Sequence, residues 1–321
     1  MFGKLMNNFY YGKSGKGDFR KEDLPKNRWQ LFWEMLRIRF SALMRLNLMY
    51  VVCWLPAMIV LLMSAMSLVS SLSAVMDPST LEEGSALAEM SVSDMVSSVS
   101  VTTLLLMIPC IAITGPFTAG VAFVTRNWAR DEHAFIWSDF KDAVKDNWKQ
   151  GLAVSAITSV VPLLVYVCWN FYGQMARDSA FMVVPQVLVL MIAIIWTLAV
   201  TYMYPLMVTY KLRFRDVIRN GVLLSIARLP QSVGVRLLHC VPVLIAGAVA
   251  MFVSTIWAAL GLFLYYLVLG FGLSRFVTAS FTNGVFDKYI NSHMEGVEIN
   301  RGLNTEPDDD DDEDEDEAPV E

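Results

Sequence analysis

The sequence predicts an all-α protein, a polytopic transmembrane helical bundle of about six spans with amphipathic cytoplasmic surface helices. Three observations predict it. The 321 residues are 55% hydrophobic and only 17% charged, against about 25% charged in an ordinary soluble domain. The charges are clustered, which leaves apolar runs of about 20 residues, long enough to cross the hydrocarbon core of a bilayer. The basic residues, finally, fall almost wholly in alternate connections between those runs.

The elements follow in order. Residues 1–45 form a cytoplasmic basic arm, residues 46–286 a six-span membrane domain, and residues 287–321 a cytoplasmic C-terminal segment. In the arm, Trp29, Phe32, Trp33, Leu36, Phe40 and Leu43 recur at spacings of three and four, a helical stripe. The arm reads equally as a surface helix along the membrane or as an extension of the first span. It offers no short apolar leader with a cleavage site, so the first span is expected to serve as an uncleaved anchor. That span runs over about 48–72 and the second over about 99–124. The third covers about 151–172 and the fourth about 180–208. From Leu237 to Ser274 there are 38 residues without a charge, roughly 57 Å of helix at 1.5 Å per residue. One crossing needs about 30 Å, so two short spans with a turn near Ser254 and Thr255 are expected.

Charge gives the orientation. Lys and Arg number ten in the arm, five in the second loop, six in the fourth and three after the last span. The first, third and fifth loops together hold one, Arg177. By the positive-inside rule both termini are cytoplasmic. Five spans would place Arg275 and Lys288 outside, so six are chosen.

The net charge of −6 hides two parts. Residues 302–321 hold twelve carboxylates and no basic residue. Ten of them run consecutively from Asp308 to Glu317. This tail is expected to be a solvated, disordered spacer or, alternatively, a clamp on basic loops. The rest of the chain is basic, which suits an anionic inner leaflet and does not by itself imply nucleic acid.

Two constellations stand out as candidate functional features. Gly115-Pro116 lies within a predicted span and is the best candidate for a functional helix break, because proline removes a ladder hydrogen bond; the plainer reading is a kink that shapes packing. In the second loop Trp137, Phe140, Val144 and Trp148 form an apolar stripe among charges, a candidate docking surface. A similar stripe, Phe214, Val217, Ile218 and Gly221, occupies the fourth loop. The two loops suggest a weakly duplicated unit of span, surface helix and span.

Enzymatic chemistry is not expected. The chain has no GxSxG nucleophile elbow and no phosphate-cradling glycine loop. His133 and Asp139 stand one residue too far apart for the HxxxxD acyltransferase pattern. His239 is the only histidine in a span. Cys53, Cys110, Cys168 and Cys240 are scattered and read as soft packing residues. No catalytic, cofactor-binding or metal-binding residue is assigned. The predicted spans carry no acid or base in their central parts, which argues against carboxylate-coupled transport.

The stretch Asn47 to Pro56 resembles the first-span signature of the YesL-like family of bacterial membrane proteins, whose biochemical activity is unknown. Gly115-Pro116-Phe117-Thr118-Ala119-Gly120, followed by Arg126, Phe140 and Asn147 to Gln150, resembles its second signature. Gly270-Phe271-Gly272-Leu273 and Val285 to Tyr289 are similar to its close. The acidic tail and the acidic first outer loop depart from it. The resemblance covers about residues 30–290 and implies a bacterial cell-membrane protein found alongside carbohydrate-uptake systems. It suggests an accessory or scaffold component of ABC-type uptake, partnered by the lipid bilayer and an ABC sugar permease or its ATPase. The second loop lacks the EAA…G signature of a permease proper. The alternatives are a transporter or channel subunit in its own right and an envelope regulatory protein. Homo-oligomerisation is left open.

Overall fold

The computed structural model describes residues 24–76 and 90–304. The expectations for the start of the basic arm, the acidic first outer loop and the acidic tail lie outside those residues. The described chain is helical, without strands, and six of its helices are long and apolar enough to cross a membrane.

Helix α1 (Arg28–Met76) has 49 residues, roughly 73 Å of helix. Asn27 caps it, its Oδ1 accepting the Gln30 amide at 2.9 Å. The N-terminal stripe therefore belongs to an extension of the first span, not to a separate surface helix. Only part of that stripe faces the protein. Leu31, Met35, Leu43, Leu46 and Tyr50 are buried, while Trp29, Trp33 and Phe40 are exposed.

Helix α2 (Val92–Ala112) starts at Ser91, whose hydroxyl accepts the Asp94 amide, and its 21 residues match one crossing. The next helix, α3 (Thr114–Trp128), is largely buried within the protein and is not one of the six candidate spans. The second span thus ends at Ala112 rather than near residue 124, and Gly115-Pro116 opens α3 instead of lying inside the crossing. Helix α4 (Ser138–Met175) is continuous over 38 residues. The second-loop stripe is therefore the first part of the third span and not a free surface helix. The fourth loop differs, since α6 (Phe214–Ala227) is a separate helix between α5 (Val183–Thr209) and α7 (Leu229–Phe252). The suggested duplication does not extend to this difference in continuity.

The turn between the last two spans falls at Val253 and Ser254, where α7 stops and α8 (Thr255–Tyr265) begins. This is where the long chargeless run required it. Helix α8 passes through one π-helical turn (Tyr266–Gly270) into α9 (Phe271–Tyr289).

Packing is uneven along the helices. The buried core gathers Leu43, Leu46, Tyr50, Val121, Trp128, Phe140 and Phe276 from α1, α3, α4 and α9, and Ala119, Val154, Met203 and Val217 from α3 to α6. All lie toward one end, called the base here. The other end of each spanning helix presents apolar side chains outward, such as Leu62, Met66, Val167, Val184 and Ile192. Hydrocarbon is as apolar as these side chains, so a membrane segment loses nothing by leaving them unpacked against protein. At the base the apolar side chains are buried against one another instead.

Candidate functional site

The three segments that carry the family resemblance are distant in sequence and meet in space. Asn47, from the first, is fully buried. Its Nδ2 donates to the carbonyls of Tyr266 at 3.1 Å and Leu267 at 2.8 Å. Its Oδ1 accepts the Gly272 amide at 2.8 Å. A π-helical turn displaces the normal i to i−4 ladder, and one asparagine satisfies the backbone groups around that displacement. Three residues on, the Tyr50 hydroxyl lies 2.6 Å from Thr118 Oγ1 of the second segment. Trp54 stacks on Phe271 with ring centroids 4.9 Å apart.

The second segment is held by glycine. A Cβ on Gly115 would sit 2.1 Å from both the Gly151 carbonyl oxygen and Ser155 Oγ. Helices α3 and α4 can cross this closely only because residue 115 carries no side chain. Pro116 has no N–H, so the Ala112 carbonyl four residues earlier loses its ladder donor. Ser155 Oγ supplies the replacement, donating to Ala112 O at 2.5 Å. The carbonyl released by the proline is thus taken up by the neighbouring helix.

The docking stripe divides. Phe140 and Val144 press on Gly120, where a Cβ would approach either side chain to 2.7 Å, and Phe140 stacks beside Phe117. Trp137 and Trp148 remain largely exposed, at 66% and 48%. Two members therefore hold α4 on α3 and two face outward. We predict that Phe140→Asp cuts the monodisperse folded yield in detergent several-fold, because it buries an unpaired carboxylate. Trp148→Ala should leave that yield unchanged; an equal loss from both would contradict the division.

At the water side of the base a polar network ties the segment after α9 to the start of α1. Asp287, the buried acid of the closing motif, accepts Arg28 Nη2 at 2.6 Å, Asn291 Nδ2 at 2.5 Å and the Asn300 amide at 3.2 Å. Tyr210 donates to Asn291 Oδ1 at 2.6 Å; burial, with the Asp287 charge beside it, pushes its hydroxyl up to about 12. Glu132 pairs with Arg130 at 3.2 Å and with Arg301 at 3.5 Å. Burial also lowers the Arg126 guanidinium from its usual value, opposed by the Glu132 charge.

Beside this network lies an open groove of about 840 Å³, between the first turns of α4 and the α5–α6 connection. Asp139, Asp142, Asp146, Asn147 and Gln150 of α4 line it, together with Lys211 of the connection. Gln150 Nε2 donates to the Leu212 carbonyl at 3.0 Å and fixes the connection against α4. A second cavity of about 670 Å³ continues past Thr209 to Leu212, toward Tyr289 and His293. Such a groove can receive a cationic or hydrogen-bonding surface. Among the described residues no group of three His, Cys, Asp or Glu side chains is placed to hold a metal ion.

Sequence reasoning singled out Gly115, Pro116 and the stripe but missed Asn47, Ser155 and Asp287 as the residues that join the segments. One signal for Asn47 was present, an amide side chain at the head of a long apolar run. No curated protein and no solved structure matches the chain. Residues 98–169, from α2 through α3 and most of α4 and so including the Gly115–Gly151 crossing, match the model of a family described as a protein of unknown function, DUF624.

Proposed function

We propose that this multi-pass membrane protein is a non-enzymatic accessory or scaffold subunit of YesL-like type, serving an ABC-type carbohydrate uptake assembly. The observation that carries the reading is the acidic groove on the base. One wall is the start of α4 with its three aspartates and the other is the α5–α6 connection, and Trp137 and Trp148 stand exposed on and just before the same stretch of α4, outside the groove. A carboxylate-lined concavity can receive a complementary basic surface, and exposed tryptophans on the other side of α4 offer apolar anchors to a partner that wraps it. On this reading the base is cytoplasmic, as the basic connections require, and it meets an ABC permease or its ATPase.

Two experiments test this. With single cysteines at Ser179→Cys and Ser292→Cys, an impermeant thiol reagent applied to intact cells should label the first and spare the second; the reverse would place the base outside. Affinity purification from mild detergent should recover a permease or ATPase, and Asp142→Lys with Asp146→Lys should abolish recovery at unchanged yield of the bait. Recovery unaffected by the charge reversal would remove the groove from the account. The π-helical turn favours a second reading, a transporter in its own right, because broken helices line solute paths. Sugar flux into proteoliposomes holding the purified chain alone would establish that reading and overturn the accessory one.

A further inference from the structure

We infer that Arg236 and Arg275, with His239 beside them, form a binding site for the phosphate group of an anionic phospholipid, at the boundary between the base and the membrane-facing half. The inference is independent of the accessory role.

The argument starts from unbalanced charge. Among the described residues Arg28 pairs with Asp287 and Arg130 with Glu132. Arg236 and Arg275 take part in no ion pair among the described residues. Helices α7 and α9 meet between them, because His239, one turn after Arg236, contacts the carbonyl of Ser274, the residue before Arg275. Arg236, on α7, donates one Nη2 hydrogen bond to the Thr197 carbonyl of α5 at 2.6 Å. Its Nε is buried without a partner. Arg275, on α9, lies over the Tyr204 ring at 5.6 Å. His239, on α7, has its Nε2 3.1 Å from the Ser274 carbonyl and 3.5 Å from Thr278 Oγ1 of α9. Carbonyls and a ring face satisfy part of each guanidinium and neutralise none of its charge. Two cations without a carboxylate partner among the described residues are costly at the edge of hydrocarbon, and a bound anion removes that cost.

The surroundings identify the anion's class. Leu237, Leu238, Val241 and Leu244 follow Arg236 along α7 and are all exposed, so they can lie against acyl chains. A soluble anion would gain nothing from that surface, whereas a phospholipid engages both the guanidiniums and the leucines. Guanidinium forks match phosphate oxygens in pairs, and basic pockets between spanning helices hold anionic headgroups.

The test is the lipid dependence of thermal stability for purified protein in detergent micelles. Phosphatidylglycerol should raise the unfolding midpoint of the parent protein, and phosphatidylcholine and inorganic phosphate at equal concentration should not. With Arg236→Gln and Arg275→Gln combined, half-maximal stabilisation should need at least about tenfold more phosphatidylglycerol, the loss of one good charge-assisted contact. Lys145→Gln with Lys149→Gln, on the open face of α4, should leave the response intact. If the double glutamine variant does not fold, Arg236→Lys and Arg275→Lys singly keep the charge, lose the paired geometry, and should still weaken the response. Equal stabilisation by inorganic phosphate would overturn the lipid assignment. Equal phosphatidylglycerol responses in the parent and every arginine variant would overturn the site.

Discussion

Gly115→Ala is expected to destabilise the protein by about 3 kcal/mol, the upper end of the usual cost of overpacking. One methyl group has this effect because of what it would meet. The added Cβ would fall 2.1 Å from a backbone carbonyl oxygen and the same distance from a serine oxygen. A flexible side chain can turn away, but the Gly151 carbonyl is fixed in the ladder of α4. Separating α3 from α4 would also draw Ser155 away from the Ala112 carbonyl that Pro116 leaves unpaired. Gly247→Ala is the matched control. A Cβ there meets nothing within 4 Å, and exchanging helical glycine for alanine favours the helix by about 1 kcal/mol. Thermal unfolding in detergent, followed by tryptophan fluorescence, should show a fall for the first and none for the second. Equal midpoints for Gly115→Ala and the parent would mean that α3 and α4 do not cross as described.

This contrast shows what sequence makes legible. Spans could be read because crossing a bilayer is a one-dimensional requirement of length and apolarity. The turn at Val253 and Ser254 was placed for that reason, since 38 chargeless residues exceed one crossing. The end of the second span was misread because Thr114 to Val124 carries no charge and continues the apolar run of α2, yet most of it is buried by protein. Apolarity does not distinguish burial by protein from burial by lipid. Phe140 and Trp148 looked equivalent on the stripe, and only the position of Gly120 sends one inward. The segments that carry the family resemblance were visible as separate strings, but their convergence was not, because Asn47 and the π-helical turn are 219 residues apart.

That convergence makes Asn47 the second position of large expected effect. Asn47→Leu should destabilise the protein by on the order of 3–6 kcal/mol, because three hydrogen bonds vanish and their buried backbone partners keep the desolvation cost of roughly 1–3 kcal/mol each. Asn47→Asp is the sharper comparison, since it preserves size and shape. Its carboxylate can still accept the Gly272 amide, but its second oxygen replaces the Nδ2 that donates to Tyr266 and Leu267. Three oxygens then converge where a donor stood, in a site closed to water. A buried carboxylate facing carbonyls takes up a proton before it tolerates the charge, and the protonated form restores one donor. The Asn47→Asp protein should therefore be more stable at pH 5 than at pH 8, whereas Asn47→Leu should show no such pH dependence beyond that of the parent. If its only role were to fill space, aspartate would behave as the parent at both pH values and leucine would be well tolerated. Thermal midpoints of the three proteins at the two pH values decide between these outcomes. A parent-like result for Asn47→Asp would show that the π-helical turn does not depend on its amide.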